Sequence, residues 1–441
     1  MAATRRTFLA GGLAVAATHR ARAQSADFDV VIVGAGAAGF GAARALTKAG
    51  LRFAIIEARD RVGGRVFTDR SLGDPFDAGA QFIHWAERNP WRDVARDLGA
   101  ETVEDRMGGG FRVYRGGRPI ADDERRLRRS AFSTLSAELN AVDSNRPDIS
   151  FAQLVADKAP ELRQAAEGLS IFSLGDDPEF ASVAEYAQLW AGDDLLLRDG
   201  YGSLVARALT PFQVSLATPA TRVRWNGQGV IVETARGDLR AAAAIVTTSI
   251  GVLQSGAIKF DPALPAATTT ALDGLRMGAM TKIALAFDGD RLGVSTGDDL
   301  FDIGAKPGDL FSTDAWSFDR NIMLAVVGGA FARGLAAQGE AAAVAYALDR
   351  VVEMLGADAR KHFKGGRLAG WSADPFALGS YSLAKPGRLA AREALAKPIG
   401  DRIWIAGEAT SSGGQMTAGG ATLAGERAAR EIAALLKGRR G

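Results

Sequence analysis

The sequence predicts an α/β fold, and three observations over residues 28–57 lead to this prediction. Residues 28–33, FDVVIV, form a near-continuous apolar run rich in β-branched side chains, which is typical of a buried parallel strand. A glycine-rich turn follows, then an alanine-rich helix over 37–49 that ends at Gly50. A second strand over 51–56 delivers Glu57. This strand–helix–strand order predicts a Rossmann-like nucleotide-binding unit.

The turn has the spacing G-x-G-x-x-G, and each glycine has a physical role. Gly34 makes the tight turn, Gly36 lets the backbone approach a pyrophosphate, and Gly39 lets helix and strand pack closely. The helix N-terminus offers N–H groups and a positive dipole to phosphates. Glu57 stands where a carboxylate accepts hydrogen bonds from ribose hydroxyls and disfavours a 2′-phosphate. The unit predicts that the chain binds NAD or FAD but does not distinguish between the two. The alternative is that the glycine-rich turn binds no ligand.

The N-terminus is interpreted as an export signal rather than part of the fold. Arg5 and Arg6 form a twin-arginine pair before a modest apolar run that starts at Phe8, and the small residues ARA end at Ala23. We predict a signal peptide over residues 1–23 and a periplasmic or secreted protein, exported folded by the twin-arginine machinery. The alternatives are a start-methionine artefact and an uncleaved anchor, but the run is too short to span a bilayer stably.

The composition excludes several classes of function. Residues 1–23 hold four arginines and no acid, so the rest of the chain has 49 basic against 51 acidic side chains, a net charge of −2 instead of +2. We expect no nucleic-acid partner, because the one dense basic run, ERRLRRS at 124–130, reads as a solvated helix face. The absence of cysteine excludes disulfides, thiolate metal sites and a cofactor bound through sulfur. With three histidines, one of them in the leader, no metal site is expected, and no stable membrane span either.

The segment after the second strand separates FAD from NAD. Glu57, Arg59, Gly63, Gly64 and Arg65 form a motif that resembles the second fingerprint of the flavin-containing amine oxidase family, which includes monoamine oxidases, polyamine oxidases and flavin histone demethylases. The resemblance recurs in DAGAQFIHWAERNP (77–90), IVTTSIGVLQSGAIKFDPALP (245–265), MGAMTKIALAF (277–287) and RIWIAGEATSSGGQMTAGGATLAGERAA (402–429). It is greatest to the polyamine oxidases, and it implies non-covalent FAD.

The resemblance also implies a discontinuous fold in which a Rossmann-like FAD-binding domain of the GR2 type carries an inserted α+β substrate domain. The FAD-binding domain is expected over residues 27–84, 199–275 and 388–437. The substrate domain is expected over residues 85–198 and 276–387. The sequence pattern agrees, with strands at 212–248, a strand at 402–406 and helices at 418–437 and near 339–355.

By resemblance, the FAD-binding residues come from the two fingerprints, from the segments 77–90, 218–223 and 371–381 that also match the family, and from the glycine-rich segment around the start of the last helix. They are Gly34, Gly36, Ala38, Gly39, Glu57, Ala58, Arg59, Gly64, Arg65, Gly79, Ala80, Gln81, Phe82, Val223, Trp371, Gly407, Glu408, Thr417 and Ala418. A helix N-terminus near Thr417 and Ala418 would stabilise negative charge on the reduced ring. The alternative is a C-terminal helix merely packed on the sheet.

MTKIALAF at 280–287 is a predicted strand that carries a lysine. Lys282 shares one face with Ala284 and Ala286, whereas the larger apolar side chains alternate on the other. In the family, a lysine here reaches flavin N5 through a water, so the resemblance implies that Lys282 is catalytic. The alternative is an edge-strand lysine that prevents aggregation.

Four residues are expected to contact substrate: His84, Trp85, Tyr381 and Thr417. Tyr381 matches one wall of the family's aromatic cage, and Thr417 stands where monoamine oxidases have a second tyrosine. His84 would hydrogen-bond the substrate amine or assist its deprotonation, so His84 and Tyr381 are catalytic candidates beside the lysine. Trp85 replaces the family's usual glycine and would narrow the channel. The alternative for the aromatic residues is core packing.

Five acidic residues could supply negative charge for a polycation or could form a solvated helix face: Asp177, Glu179, Glu185, Asp193 and Asp194. The sequence therefore predicts an FAD-dependent oxidase of a polyamine or related secondary amine. A hydride passes to flavin N5, the imine hydrolyses to an aldehyde, and O2 or another acceptor reoxidises the flavin, O2 giving H2O2. The alternatives are an oxidase or dehydrogenase of an aromatic or alkaloid-type monoamine, a flavin desaturase, and a non-catalytic flavin-binding scaffold.

Overall fold

The computed structural model describes residues 27–105, 110–143, 146–304 and 308–439. The predicted signal peptide and its cleavage site lie outside these residues. The strands are β1 (Phe28–Val33), β2 (Phe53–Ile56), β3 (Thr68–Asp69), β4 (Phe76–Asp77), β5 (Phe82–Ile83), β6 (Thr102–Glu104), β7 (Phe111–Arg115), β8 (Arg118–Pro119), β9 (Leu195–Leu197), β10 (Val214–Ser215), β11 (Ala220–Arg224), β12 (Val230–Thr234), β13 (Gly237–Val246), β14 (Lys259–Asp261), β15 (Leu275–Met277), β16 (Met280–Phe287), β17 (Asp299–Asp302), β18 (Phe311–Ala315), β19 (Ile322–Gly328), β20 (Phe363–Ala369), β21 (Ser382–Ala384) and β22 (Ile403–Ile405).

The helices are α1 (Ala37–Lys48), α2 (Pro90–Asp97), α3 (Asp122–Asn140), α4 (Phe151–Leu154), α5 (Pro160–Leu169), α6 (Val183–Ala187), α7 (Tyr201–Leu209), α8 (Ile250–Gln254), α9 (Ala266–Asp273), α10 (Gly329–Gln338), α11 (Glu340–Leu355), α12 (Ala359–His362), α13 (Ala391–Ala396) and α14 (Ala418–Gly438). A π-helical turn at Ser170–Leu174 and 3-10 turns at Ser317–Asp319 and Glu408–Thr410 complete the elements. In the described part of the chain, none of the helices combines the length and apolar character needed to cross a bilayer.

The larger sheet is parallel at its centre, as the buried run at 28–33 predicts. Its eight strands follow the order β10–β2–β1–β13–β12–β11–β14, and β22 also pairs with β13. Strand β1 is parallel to β2 and to β13, so the carboxyl ends of these strands meet at one edge. The first half of β13 pairs with β12 and its second half with β22. The sheet therefore joins pieces from the beginning, the middle and the end of the chain.

The second sheet places β16 in its interior. The order is β20–β16–β19–β18–β17–β7–β8, and β16 is antiparallel to β19 on one edge and to β20 on the other. Ile283, Leu285 and Phe287 pack into one apolar cluster, and Ala284 packs into another on the opposite face, as the period-two pattern predicts. Because both edges of β16 are paired, the edge-strand interpretation of Lys282 is wrong.

Helices α1 and α14 pack with their backbones in contact. A Cβ atom at Gly41 would lie 2.1 Å from the carbonyl oxygen of Thr422, and one at Gly425 would lie 2.0 Å from that of Ala38. The Trp91 indole N–H donates to the Thr422 hydroxyl at 2.9 Å and fixes α2 on the same surface. The first and last parts of the chain thus form a single layer over the parallel sheet.

The observed elements follow the predicted ones closely in this region. The helix expected at 37–49 is Ala37–Lys48, the strand expected at 51–56 is Phe53–Ile56, and the helix expected near 339–355 is Glu340–Leu355. The strands of the larger sheet come from the three segments assigned to FAD binding, and those of the seven-stranded sheet from the inserted segments. The domain boundaries themselves stay a prediction.

Candidate active site

Two glycine loops face each other at the carboxyl end of β1. A Cβ atom at Gly39 would lie 2.1 Å from the Gly34 carbonyl oxygen, so only glycine permits this approach of helix to loop. Gly36 has more room, because its Cβ would lie 3.7 Å from the Gly63 carbonyl oxygen, and these two backbones form a parallel bridge. A Cβ at Gly64 would lie 3.5 Å from the Cα of Gly36. The paired loops form a backbone cradle of the kind that binds phosphates.

Glu57 is buried at the end of β2 with both carboxylate oxygens placed by backbone. Oε2 accepts from the Ala35 N–H at 2.8 Å, and Oε1 accepts from the Arg59 N–H at 2.9 Å. Ala38 lies in the first turn of α1, and Ala58 is half-buried beside the carboxylate. The acid, the glycine turn and the helix N-terminus are therefore brought together as predicted.

Arg59 joins the second loop to the aromatic segment after β20. Its guanidinium makes two hydrogen bonds to Asp374, at 2.7 and 2.9 Å, and lies 5.8 Å from the centroid of the Trp371 ring. The Trp371 indole donates to the Ala78 carbonyl at 2.9 Å. Trp371 is thus held against the chain that leads into residues 79–82.

Glu408 is buried and fully engaged by protein donors. Its carboxylate accepts from Arg65 Nη1 at 3.1 Å, from the Ser382 hydroxyl at 2.6 Å and from the Ser382 N–H at 3.1 Å. The adjacent Gly407 has a φ of +157° and nothing within 4 Å of a Cβ atom. Arg65 and Glu408 therefore hold the loops in place through their side chains and leave backbone groups to face a ligand.

Glu185 belongs to a buried ion pair and not to a channel. Its carboxylate pairs with Arg392 and also accepts from the Ala384 N–H, and both charged side chains are almost completely buried. Burial raises the pKa of the Glu185 carboxyl, and the Arg392 charge opposes this. The interpretation of Glu185 as a charge for a polycation, or as part of a solvated face, is wrong.

Lys282 is buried with its ammonium held by two oxygens. Nζ donates to Gln81 Oε1 at 2.7 Å and to the Asp77 carbonyl oxygen at 3.1 Å. Burial lowers the pKa of Lys282 to about 8, against the opposing charges of Asp77 and Asp314. Near neutral pH the site therefore holds a cation that can release its proton in the mildly alkaline range.

The run from Gly79 to Phe82 lies beside this lysine and is half-exposed along its length. A Cβ at Gly79 would lie 1.8 Å from the Arg65 carbonyl oxygen, which explains the glycine. Ala80 donates its N–H to that same carbonyl at 3.1 Å. Tight backbone contacts thus fix this half-exposed run next to Lys282.

Tyr381 packs on a glycine that follows the π-helical turn. A Cβ atom at Gly175 would lie 2.9–3.0 Å from the Tyr381 ring, so a side chain there would displace the phenol. The Tyr381 hydroxyl approaches Met280 Sδ at 3.8 Å. Burial raises the pKa of Tyr381 above its usual range, and the negative charges of Glu408 and Asp176 raise it further, so the phenol is neutral.

Thr417 caps helix α14 with its hydroxyl. Oγ1 accepts from the Gly420 N–H at 3.0 Å and donates to the Gly414 carbonyl at 2.7 Å. The hydroxyl is therefore used within the protein, and Ala418 is the buried first residue of the helix. The positive end of α14 begins at this point.

His84 forms a pair with Asp194, which the sequence had offered only as one of five acidic candidates for binding a polycation. Nδ1 lies 2.8 Å from Asp194 Oδ2, and the Trp85 N–H donates to Oδ1 at 3.0 Å. Burial raises the pKa of Asp194, but the hydrogen bond and charge of His84 outweigh it and lower that pKa overall. Trp85 adopts a φ of +53° and meets Trp190 edge to face at 6.0 Å. The histidine, its carboxylate and an aromatic wall are therefore brought together.

Three aspartates that the sequence analysis missed lie near this pair. Gln81 Nε2 approaches Asp314 Oδ2 at 3.4 Å, and Asp314 lies opposite Asp299 in the β17–β18 pair. The Asp105 N–H donates to the Asp194 carbonyl at 2.9 Å. Partial burial raises the pKa of Asp105, and the charges of Asp194 and Asp314 raise it further. We refer to Asp105, Asp194, Asp299 and Asp314 as the acidic cluster. Burial, followed by the charge of Asp314, raises the pKa of Asp299 to about 7.

The remaining acidic candidates do not belong to the acidic cluster. Asp177 accepts from the Ala330 N–H at 2.9 Å near the start of α10, whereas Glu179 and Asp193 are exposed.

Val223, a predicted FAD-binding residue, is not brought to the site. Its side chain is completely buried in the apolar core and β11 is paired on both edges, so neither side chain nor strand edge is open to a cofactor.

Comparison with known proteins agrees with this geometry. The family model described as "Flavin containing amine oxidoreductase" matches residues 37–147 and 112–433. The chain belongs to this family. It is 32% identical to probable polyamine oxidase 4 of Arabidopsis thaliana over 288 residues, which cover 59% of this chain and 58% of that protein. It is 30% identical to human lysine-specific histone demethylase 2 over 453 residues, covering 92% of this chain and 53% of that protein. The chain thus spans little more than half the length of either relative. A putrescine oxidase structure with bound putrescine has a TM-score of 0.75 at 21% identity, covering 92% of this chain and 99% of that one.

These matches confirm the predicted α/β fold and the predicted family, and membership of a flavin-containing family implies FAD as cofactor. The residues of this chain also fit FAD. The cradle at Gly36 and Gly63 suits the pyrophosphate and Glu57 suits a ribose. The Gln415 side chain is 1% exposed with neither amide atom paired, and the donor and acceptor groups at a flavin ring edge would satisfy such an amide. Among the described residues, no group of three or more acidic or histidine side chains is arranged to hold a metal ion.

Proposed function

We propose that this protein oxidises a diamine or polyamine with non-covalent FAD and O2, releasing an aldehyde, an amine or ammonia, and H2O2. The observation that carries the proposal is the distribution of charge around Gln81. The amide oxygen of Gln81 accepts a hydrogen bond from the Lys282 ammonium, and the amide nitrogen faces Asp314 of the acidic cluster. A substrate with one reacting nitrogen and a second, cationic nitrogen suits a site with these two ends.

The reacting nitrogen has to be neutral, because its lone pair stabilises the imine that forms as the α-hydrogen leaves. His84 is suited to take the proton from an arriving ammonium. Its Nδ1 is held by Asp194, which leaves Nε2 as the basic atom when Nδ1 carries the proton. Asp194 then stabilises the imidazolium. The aldehyde arises when water adds to the released imine.

The second nitrogen is proposed to stay charged and to bind the acidic cluster. Asp299 and Asp314 lie opposite each other, and Asp105 is exposed toward solvent, so the cluster leads from Gln81 outward. The similar proteins include polyamine oxidases and a putrescine oxidase, which supports a substrate with a second, charged nitrogen. A cation at the cluster relieves the repulsion between its carboxylates.

When bound, the flavin supplies the two-electron acceptor for the amine. The protein positions the substrate through the acidic cluster and His84. It stabilises charge at the ring through Lys282 and through the N-terminus of α14. Tyr381, neutral and packed on Gly175, provides an aromatic wall for the reacting amine. Export by the twin-arginine route belongs to the proposal as well, because a folded, cofactor-loaded protein is what that route carries.

Anaerobic titration of the purified yellow protein tests the substrate class. We expect putrescine, spermidine or spermine to bleach the flavin absorbance, and monoamines of similar length to do so far less well. Bleaching by phenylethylamine but by no diamine would favour the aromatic alternative, for which Trp85 and Trp190 supply the wall. If no amine bleaches the flavin, the proposal is wrong.

A further inference from the structure

A small cavity lies next to the residues that hold Lys282. It has a volume of about 30 Å³, and its lining includes Phe76, Leu196, Phe318 and Leu324 together with Asp77, Gln81 and Arg320. The Asp77 carbonyl and the Gln81 amide are the two acceptors of the Lys282 ammonium. The cavity therefore shares two of its lining residues with the site that holds the cation.

The size of the cavity restricts what it can hold. A water molecule needs roughly 10–15 Å³ of such space, so the cavity accepts about two water-sized molecules. A diamine is too long for it. Most of the lining is apolar, and apolar cavities in proteins take up small uncharged molecules such as xenon. Dioxygen has this size and this character.

Phe318 lines the cavity from a strained turn. Phe318 has a φ of +60°, and its ring centroid lies 5.1 Å from the Arg198 guanidinium and 4.7 Å from that of Arg320, which lines the cavity as well. Arg320 also donates to the Arg198 carbonyl. Contacts with two arginines thus hold the Phe318 ring in the cavity wall.

We propose that this cavity is the binding site and route of entry for dioxygen. The inference rests on the proposed function, in which O2 is the electron acceptor. O2 takes two electrons and one proton from the reduced flavin and a second proton from solvent, which gives H2O2 and oxidised flavin. Lys282 is held by two residues of the cavity lining, and its positive charge would stabilise the negative charge that forms on oxygen when the first electron arrives.

Four variants and two measurements test the route. Leu196→Phe fills the cavity and Phe318→Ala opens its wall. Leu127→Phe and Phe132→Ala make the same changes at exposed positions of α3 and serve as controls. Each holoenzyme is reduced with dithionite, without any amine, and mixed with oxygenated buffer in a stopped-flow instrument. We expect Leu196→Phe to lower the second-order rate constant for reoxidation by about tenfold, Phe318→Ala to raise it, and the controls to match the parent.

The second measurement does not depend on turnover. Crystals of the holoenzyme under xenon pressure should show a xenon atom in the cavity, and crystals of Leu196→Phe should not. An empty cavity under xenon, reoxidation of Leu196→Phe at the parental rate, or equal slowing of flavin reduction and reoxidation would each overturn the proposal. A failure of the proposed amine chemistry gives a different result. In that case amines do not bleach the flavin, whereas the dithionite-reduced enzyme still reacts with O2.

Discussion

Replacing Asp314 by asparagine should weaken oxidation of diamines in a way that depends on pH. In the parent, burial, the charge of Asp314 and a hydrogen bond that protonated Asp299 donates to Asp314 raise the pKa of Asp299 to about 7. The pair therefore carries one negative charge near pH 6 and two near pH 8.5. Without the Asp314 charge, the pKa of Asp299 falls, although burial and the charges of Asp105 and Asp298 still raise it. More Asp299 is then ionised near pH 6 and replaces part of the lost charge, so the substitution removes less charge in acid than in mild alkali.

The size of the effect follows from the lost charge. A unit charge about 4 Å from an ammonium is worth about 4 kcal/mol at an effective dielectric constant near 20. The cluster is partly open to water, which reduces this to about 1–1.4 kcal/mol. We therefore expect kcat/KM for putrescine to fall roughly five- to tenfold near pH 8.5, and to fall less near pH 6.

The assay is steady-state oxidation of putrescine and of butylamine at both pH values and at low salt, because salt screens exposed charges. Asp349→Asn is the matched control, since Asp349 forms an exposed ion pair with Arg360 away from the acidic cluster. Butylamine lacks the second ammonium, so its kcat/KM should not respond to Asp314→Asn. An equal loss for both amines, or the same loss at pH 6 and pH 8.5, would refute the reasoning.

Three further predictions concern the lysine, the glycine loop and the buried ion pair. Lys282→Met should retain FAD yet slow flavin reduction or reoxidation at least tenfold, which corresponds to an increase of roughly 1.4 kcal/mol or more in the activation free energy. Unchanged stopped-flow rates in both half-reactions would show that Lys282 takes no part in the chemistry. Gly39→Ala should purify with little FAD, because its Cβ would lie 2.1 Å from a backbone carbonyl, whereas Gly227→Ala, with nothing within 4 Å, should keep a full complement by absorbance. Arg392→Met should lower the free energy of unfolding by about 3–5 kcal/mol, since it leaves the Glu185 carboxylate buried without its partner. Chemical denaturation should show much of that loss recovered in the double variant that also carries Glu185→Leu, and a single variant as stable as the parent would contradict the argument.

The nucleotide-binding unit could be predicted from the sequence because its signals are local. Three glycines, an acid and a change of hydrophobic period lie within thirty residues, and each has one physical role there. The strand around Lys282 was predicted at its full length, because alternation of apolar side chains needs no knowledge of neighbours. Which strands flank it could not be predicted, and this alone decides between an edge position and the interior.

The acidic cluster could not be predicted, because no local pattern connects its members. Asp105 and Asp194 meet through the pairing of β6 with β9, and Asp299 meets Asp314 through β17 and β18. The one local signal was aspartate within a strand, which is uncommon and marks a special position. Val223 shows the opposite case: an apolar residue in a recognisable motif was assigned to the cofactor, but the core takes it instead.

The mixed origin of the larger sheet has a consequence for synthesis of the protein. Strand β22 completes the pairing of β13, and α14 covers α1, so the loop at Gly36 lacks its support until residues 403–438 have left the ribosome. Contacts of such long sequence separation form late. We expect nascent chains arrested before β22 to remain sensitive to protease and colourless, so that cofactor is acquired only once translation is almost complete.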